Sequence, residues 1–271
     1  MNDLLKWLGG DASVDQTVLV AILVTARVIP LTHLTPWLAL SIAPNPLIVA
    51  VSVVLAVLLT PYALGTAPEI SSRIVDLSLL AARELLIGTV FAVAAAMPFI
   101  ALAWAGRLTD TIGDRSITDN ATSSVYSAQT PLSNLYAMMG MVLFFSLGGH
   151  RLAVSALTKT FITLPIAATM SAPTLSLVVW ESVRLIADAL ALSLVLTAPV
   201  AAIVALCEIA LGFFGRSFPH LSFSYVAAMP LRAFVALGAV CLCVSFIMDL
   251  MPQIFRDAFE TASELIKRMG R

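Results

Sequence analysis

The chain alternates between long uncharged apolar runs and one long polar stretch. A first apolar block covers about Thr17–Ile42 and contains Arg27, Pro30, His33 and Pro36. Proline removes a helix donor and kinks the chain, so this block predicts two short helices or one broken one. The Pro44-Asn45-Pro46 turn closes it, because residues before proline avoid the helical region. The block Leu47–Thr60 is about 14 residues and ends at Pro61. At helical rise it reaches roughly 21 Å, short of a ~30 Å hydrocarbon core. A mixed segment, Ala63–Arg83, precedes the long run Glu84–Ala105, with Pro98 inside it. Leu132–Leu147 is wholly uncharged and ends at Gly148-Gly149-His150, a helix-stop signal. Arg151–Met170 carries Lys159 and Pro165 and predicts a poor free-standing span.

The second half reads as one long helical hairpin. Trp180–Ile209 holds Asp188, Pro199 and Glu208; Leu211–Tyr225 is a turn-rich connector; Val226–Met248 is a good span with Pro230 and Arg232 near its start. From Asp249 to Arg271 the pattern becomes amphipathic. Leu250, Ile254, Ala258, Ala262, Leu265 and Met269 recur at steps of three and four, with Glu264 and Arg268 spaced as an i, i+4 pair. Such a tail is an interfacial helix or a partner-binding helix. The division expected is therefore an N-terminal segment 1–16, a helical part 17–179, a hairpin 180–248 and the tail 249–271.

Between the apolar runs lies Gly106–Pro131, GRLTDTIGDRSITDNATSSVYSAQTP, polar throughout. A stretch of this kind has two readings. It is a solvent loop, because loops satisfy their backbone groups in water, or it is an insert inside a pore or assembly. As a plain loop, its Asp110, Asp114 and Asp119 are caps and turn residues.

Composition then fixes the class. Of 271 residues, 60% are hydrophobic and 11% charged, and mean hydropathy is +0.99. Soluble domains carry roughly 25% charged residues, so this chain cannot cover a water-facing surface, and a polytopic membrane protein or part of a membrane-embedded assembly follows. A formal net charge of −1 gives no electrostatic argument for nucleic acid. Cys207, Cys241 and Cys243 sit in apolar runs as small fillers, with no disulfide or metal framework. The first fifteen residues carry Lys6 among Asp3, Asp11 and Asp15, without the order of a cleavable signal peptide. Arg256, Lys267, Arg268 and Arg271 favour a cytoplasmic C-terminus.

The defects in the apolar runs carry functional information. Arg27, Lys159 and Asp188 are ionisable, and Pro30, Pro98, Pro165 and Pro199 interrupt other turns. A charge at the bilayer centre costs ~2.5–3.5 kcal/mol on insertion scales, and freed backbone groups add more. So many defects predict segments enclosed by protein, with partner subunits as the economical source. Ala92/Ala96, Ala101/Ala105, Ala187/Ala191, Ala198/Ala202 and Ala201/Ala205 are spaced for close helix approach. Asp188 and Glu208 form either a proton pathway or intersubunit pairs. Enzyme signatures are missing: His33, His150 and His220 lie far apart, outside any HExxH pattern, and no GxSxG, Walker or dinucleotide motif occurs.

Four stretches together resemble the FliR/SctT family of export-gate subunits from flagellar and virulence type III secretion systems. They are Arg27-Val28-Ile29-Pro30 with Pro36; Arg83-Glu84-Leu85-Leu86-Ile87-Gly88 opening the run to Ala105-Gly106; Leu143-Phe144-Phe145 through Gly148-Gly149-His150 to Phe161 and Leu164-Pro165; and Leu211-Gly212-Phe213-Phe214-Gly215-Arg216-Ser217-Phe218-Pro219 with Pro230-Leu231-Arg232. Their order and spacing cover about Arg27–Met248. The chain departs from the family pattern at Asp119-Asn120, where Asp-Pro is frequent, and at His220 and Ser222, where Gln and Asn are usual.

The resemblance implies an all-α, membrane-associated fold with kinked helices, a FliP-like N-terminal part and a FliQ-like C-terminal hairpin. It implies no catalysis and no cofactor. The partners it implies are FliP/SctR-like and FliQ/SctS-like subunits and a FlhB/SctU-like protein in the bacterial inner membrane, with membrane lipids around them and unfolded secreted proteins as cargo. The loop Gly106–Thr118 would then be a plug, with Gly106 and Gly113 as bendable points and Arg107, Asp110, Asp114 and Thr118 facing the lumen. Gly212, Arg216 and Pro219 would form the hairpin tip at the cytosolic entrance. Arg27, Lys159, Asp188 and Glu208 would be intersubunit polar contacts. The rival reading is a secondary transporter with Arg27, Asp188 and Glu208 as coupling groups, discriminated by an internal repeat, which the sequence lacks. An intramembrane hydrolase built on His150 and His220 is a third class.

Overall fold

A computed structural model describes residues 14–36, 45–65, 74–112, 130–166, 173–217 and 223–269. They form seven helices: α1 Val14–Leu34, α2 Asn45–Leu64, α3 Ile74–Ile112, α4 Pro131–Ser146, α5 Gly149–Thr163, α6 Pro173–Ser217 and α7 Phe223–Met269. No strand occurs among the described residues, as the all-α reading expected. Five helices are long and apolar enough to cross a membrane, or six spans if α4 and α5 count as one broken span.

The helices are longer and less broken than the proline positions suggested. α1 runs through Pro30, α2 through Pro61, α3 through Pro98 and α6 through Pro199. In an apolar setting a broken helix exposes several backbone groups with no water to take them, whereas a proline frees only one or two. Continuing the helix is therefore the less costly choice. One real break stands where the glycines predicted it. Leu147 caps α4, donating its N–H to Leu143, and Gly148 adopts φ 72, the left-handed region.

Contacts divide the chain into two compact units: Met1–Met97, Gly148–Ile186 and Phe255–Arg271 in the first; Pro98–Leu147 and Ala187–Ile254 in the second. In the first, α1 packs on α2 and α2 on α5. Val20, Leu23, Val24, Val28, Ile87, Phe91, Leu157 and Phe161 are buried there. Thr32 and Ser52 bridge α1 and α2 through their hydroxyls at 2.6 Å. In the second unit Phe99 meets Phe144 edge to face at 5.3 Å, among buried Leu102, Leu132, Tyr136, Leu196 and Val240.

The C-terminal tail differs from its expectation. Residues 249–269 continue α7 without a break. The buried stripe is Met251, Phe255, Phe259, Ala262, Leu265 and Ile266, one position on from the expected stripe over much of its length. Arg268 pairs with Glu181 of α6 at 2.7 Å instead of with Glu264. Phenylalanine offers more apolar area than alanine or leucine, so the stripe that carries Phe255 and Phe259 turns inward.

Candidate functional site

The polar stretch begins as helix. Gly106, Arg107 and Asp110 were expected in a loop, yet α3 extends to Ile112. Gly106 is buried and helical, so it is no bend. A Cβ there would stand 2.6 Å from the Leu132 carbonyl oxygen and 2.6 Å from the Ser133 Cα, both backbone atoms. The glycine lets the end of α3 approach the start of α4 closely. Thr109 helps to hold the last turn by donating to the Ala105 carbonyl. Arg107 is exposed. Gly113, Asp114 and Thr118 lie outside the described residues.

Asp110 joins the same two helices. It is fully buried, and its Oδ2 accepts the Leu132 N–H at 2.8 Å. Thr130 occupies the N-cap of α4 but makes no side-chain cap bond, and Pro131 opens the helix. Asp110 therefore caps α4 from another helix, placing a carboxylate against the positive end of the helix dipole. Its Oδ1, the Thr130 hydroxyl and the Tyr136 hydroxyl are buried without well-formed partners among the described residues. From α6, Thr197 donates to the Ala105 carbonyl at 3.3 Å, one turn before Thr109.

The first unit contains a buried charge knot. The Arg27 Nε donates to Glu84 Oε2 at 2.6 Å, and Nη2 also pairs with that carboxylate. The Nη1 reaches the Thr160 carbonyl at 3.3 Å, and both Nη1 and Nη2 reach the Leu164 carbonyl at 3.1 Å. The guanidinium carbon stands 4.5 Å from the Phe161 ring centroid. Every Arg27 nitrogen is thus used within the chain. Arg27 was expected to meet another subunit, yet α3 and the C-terminal end of α5 supply its partners. The crossing is tight, since a Cβ on Gly88 would lie 2.1 Å from the Arg27 carbonyl oxygen. Beside the knot, Arg83 Nε and Nη2 and Glu84 Oε1 are buried with no partner among the described residues.

The remaining predicted residues face outward. Lys159, Asp188, Glu208, Gly212 and Arg216 are exposed, although Glu208 does engage a neighbour. Gly212 and Arg216 are in the last turns of α6, which runs to Ser217 and takes the first part of the expected connector. Pro219 lies outside the described residues. The paired alanines of α3 (Ala92, Ala96, Ala101 and Ala105) are buried, whereas Ala187, Ala191, Ala198, Ala202 and Ala205 of α6 are exposed. Sequence reasoning missed Glu84, Gly88, Thr160 and Tyr136 as site residues. Glu84 and Gly88 had a readable signal: a carboxylate and a glycine one turn apart at the mouth of an apolar run. Thr160 and Tyr136 had none.

Comparison with known proteins settles which proteins share this pattern. The family model described as bacterial export proteins, family 1, matches residues 18–258. The chain belongs to this family. It is 23% identical over 243 residues to the flagellar biosynthetic protein FliR of Caulobacter vibrioides, covering 90% of this chain and 95% of that protein. It is also 24% identical over 190 residues to the FliR protein of Escherichia coli K12, covering 70% of this chain and 71% of that one. The FliR/SctT resemblance is thereby borne out, and the bacterial export protein is a membrane component of an export apparatus, a structural role.

Proposed function

We propose that this bacterial export protein is an export-gate subunit of a type III secretion system in the inner membrane. It forms part of the channel through which unfolded proteins cross. FliP/SctR-like and FliQ/SctS-like subunits enclose it, and a FlhB/SctU-like protein adjoins it. The observation that carries this reading is the outer face of α6. Arg184 and Asp188 are exposed on a helix of membrane-spanning length, along with the small residues Ala187, Ala191, Ala198, Ala202 and Ala205. Acyl chains are poor neighbours for exposed charge, and small residues admit a second backbone at close range. Neighbouring helices of unlike subunits satisfy both. The division into a FliP-like part, 17–179, and a FliQ-like hairpin, 180–248, belongs to the same reading.

Within that channel the polar segment beyond Ile112 serves as the plug. Its base is the α3–α4 junction at Gly106 and Asp110, and Gly113, Asp114 and Thr118 belong to the plug itself. Arg216 and Pro219 mark the cytosolic entrance. Two measurements test this. Purification from membranes under mild detergent brings unlike small membrane proteins with the chain; recovery as a lone protein or homo-oligomer overturns the assignment. Deleting residues 113–118, which leaves Asp110 in place, raises ion leakage across the inner membrane; unchanged tightness of an assembled complex rejects the plug.

A further inference from the structure

We infer that Asp110 is a positioning residue that sets the separation between the end of α3 and the start of α4, and so fixes the base of the segment that joins them. The inference rests on the described helices; only its consequence for leakage rests on the plug reading above.

Four observations meet at this junction. The Asp110 carboxylate is fully buried and accepts the Leu132 N–H at 2.8 Å. Thr130, placed to cap α4, makes no cap bond. Gly106 brings the two backbones into contact one turn earlier, so that not even a methyl group fits. The Thr130 hydroxyl and Asp110 Oδ1 are buried with no partner among the described residues.

A carboxylate is the one group here that can hold the α4 N-terminus with charge assistance. It also leaves a second oxygen for nearby hydroxyls. Without it, the Leu132 N–H joins the Thr130 hydroxyl as a buried donor lacking an acceptor among the described residues. Buried donors of that kind demand water. The vacated site is about one water in size, and a water held there does not tie α3 to α4 as the carboxylate does, so the junction loosens. Asparagine has nearly the same shape and keeps a carbonyl for Leu132, while its amide faces the hydroxyl oxygens. It therefore holds the junction, more weakly.

The test uses the assembled complex. Cys207, Cys241 and Cys243 are replaced by alanine, and spin labels are placed at the exposed positions Thr111 and Leu135. Asp110→Ala is expected to broaden the label–label distance distribution and to shift it to longer distances, because the tie between the helices is lost. Asp110→Asn is expected to restore the wild-type distribution. Ion leakage is expected to rise ~tenfold with alanine and to stay within ~twofold of wild type with asparagine. If Asp110→Ala does not assemble, Asp110→Ser takes its place, since its hydroxyl is too short to bridge to Leu132. An unchanged distance distribution in the alanine or serine variant overturns the inference, whatever the leakage. A widened distribution without leakage supports the positioning role and removes the plug reading instead.

Discussion

Replacing Arg27 with methionine tests the buried knot most directly. Methionine keeps an unbranched chain among the same neighbours but removes every donor. The Glu84 carboxylate would lose its bond at 2.6 Å, and its Oε1 already has no partner among the described residues. The Thr160 and Leu164 carbonyls at the end of α5 would lose theirs. Removing one member of a buried ion pair costs ~3–5 kcal/mol, because the other charge stays buried. A loss of about 4 kcal/mol is a large share of a ~5–15 kcal/mol stability. The double variant Arg27→Met/Glu84→Leu removes both charges of the pair and leaves the carbonyls, which cost ~1–3 kcal/mol as buried groups, with the half-buried Arg83 beside them. It should therefore recover about 2 kcal/mol. Arg27→Lys keeps the charge but cannot reach carboxylate and carbonyls together, and should fall between. Unfolding in mixed detergent, followed by helicity, gives the four corners of a double-mutant cycle. A loss under about 1 kcal/mol for Arg27→Met, or a double variant no more stable than the single, would refute the knot as described.

Glycine contacts make a second set of expectations. Gly88→Ala and Gly106→Ala should each prevent stable folding or lower stability by several kcal/mol in the same assay, because the added Cβ meets backbone at 2.1 Å and 2.6 Å. Gly140→Ala should be mild by comparison, at ~1 kcal/mol, since the atom it meets is the rotatable Leu102 Cδ1. Gly148→Ala has open space around its Cβ but a φ of 72, so thermal unfolding should show a loss of ~1–2 kcal/mol from backbone strain alone. The Arg268–Glu181 pair is half exposed on the arginine side, so Arg268→Ala should cost under ~1 kcal/mol, with the difference vanishing in high salt. Asp188→Leu should leave the chain inserted in the membrane while reducing the unlike subunits recovered with it in a pull-down; undiminished recovery would mean that the exposed charge on α6 meets no partner.

Much of this protein was legible before any coordinates. The low charge content demanded an apolar setting, and an apolar setting demands helices, because each helix satisfies its own backbone. The glycine pair at Gly148-Gly149 marked the break between α4 and α5 correctly, since a left-handed φ favours a residue without a side chain. The motifs around Arg27, Arg83, Phe144 and Phe213 led to the family. The same reasoning misjudged helix length. It treated Pro30 as a break and Pro61 as an end, whereas packing and the lack of competing water carry α1 and α2 through theirs.

Where the charges go was beyond the sequence. Arg27 and Asp188 look alike along the chain, as single charges in apolar runs. Glu84 lies 57 positions from Arg27, and Thr160 lies 133; only the crossing of α1 and α3 at Gly88 makes them neighbours, while Asp188 is left on an outer face. Asp110 is similar, reading as a loop residue in a polar stretch until the fold lays it against the first turn of α4. The local chain sets how each segment satisfies its own backbone. Satisfaction of a side-chain charge depends on which distant atoms the packing brings within three ångströms, and the order of residues does not carry that distance.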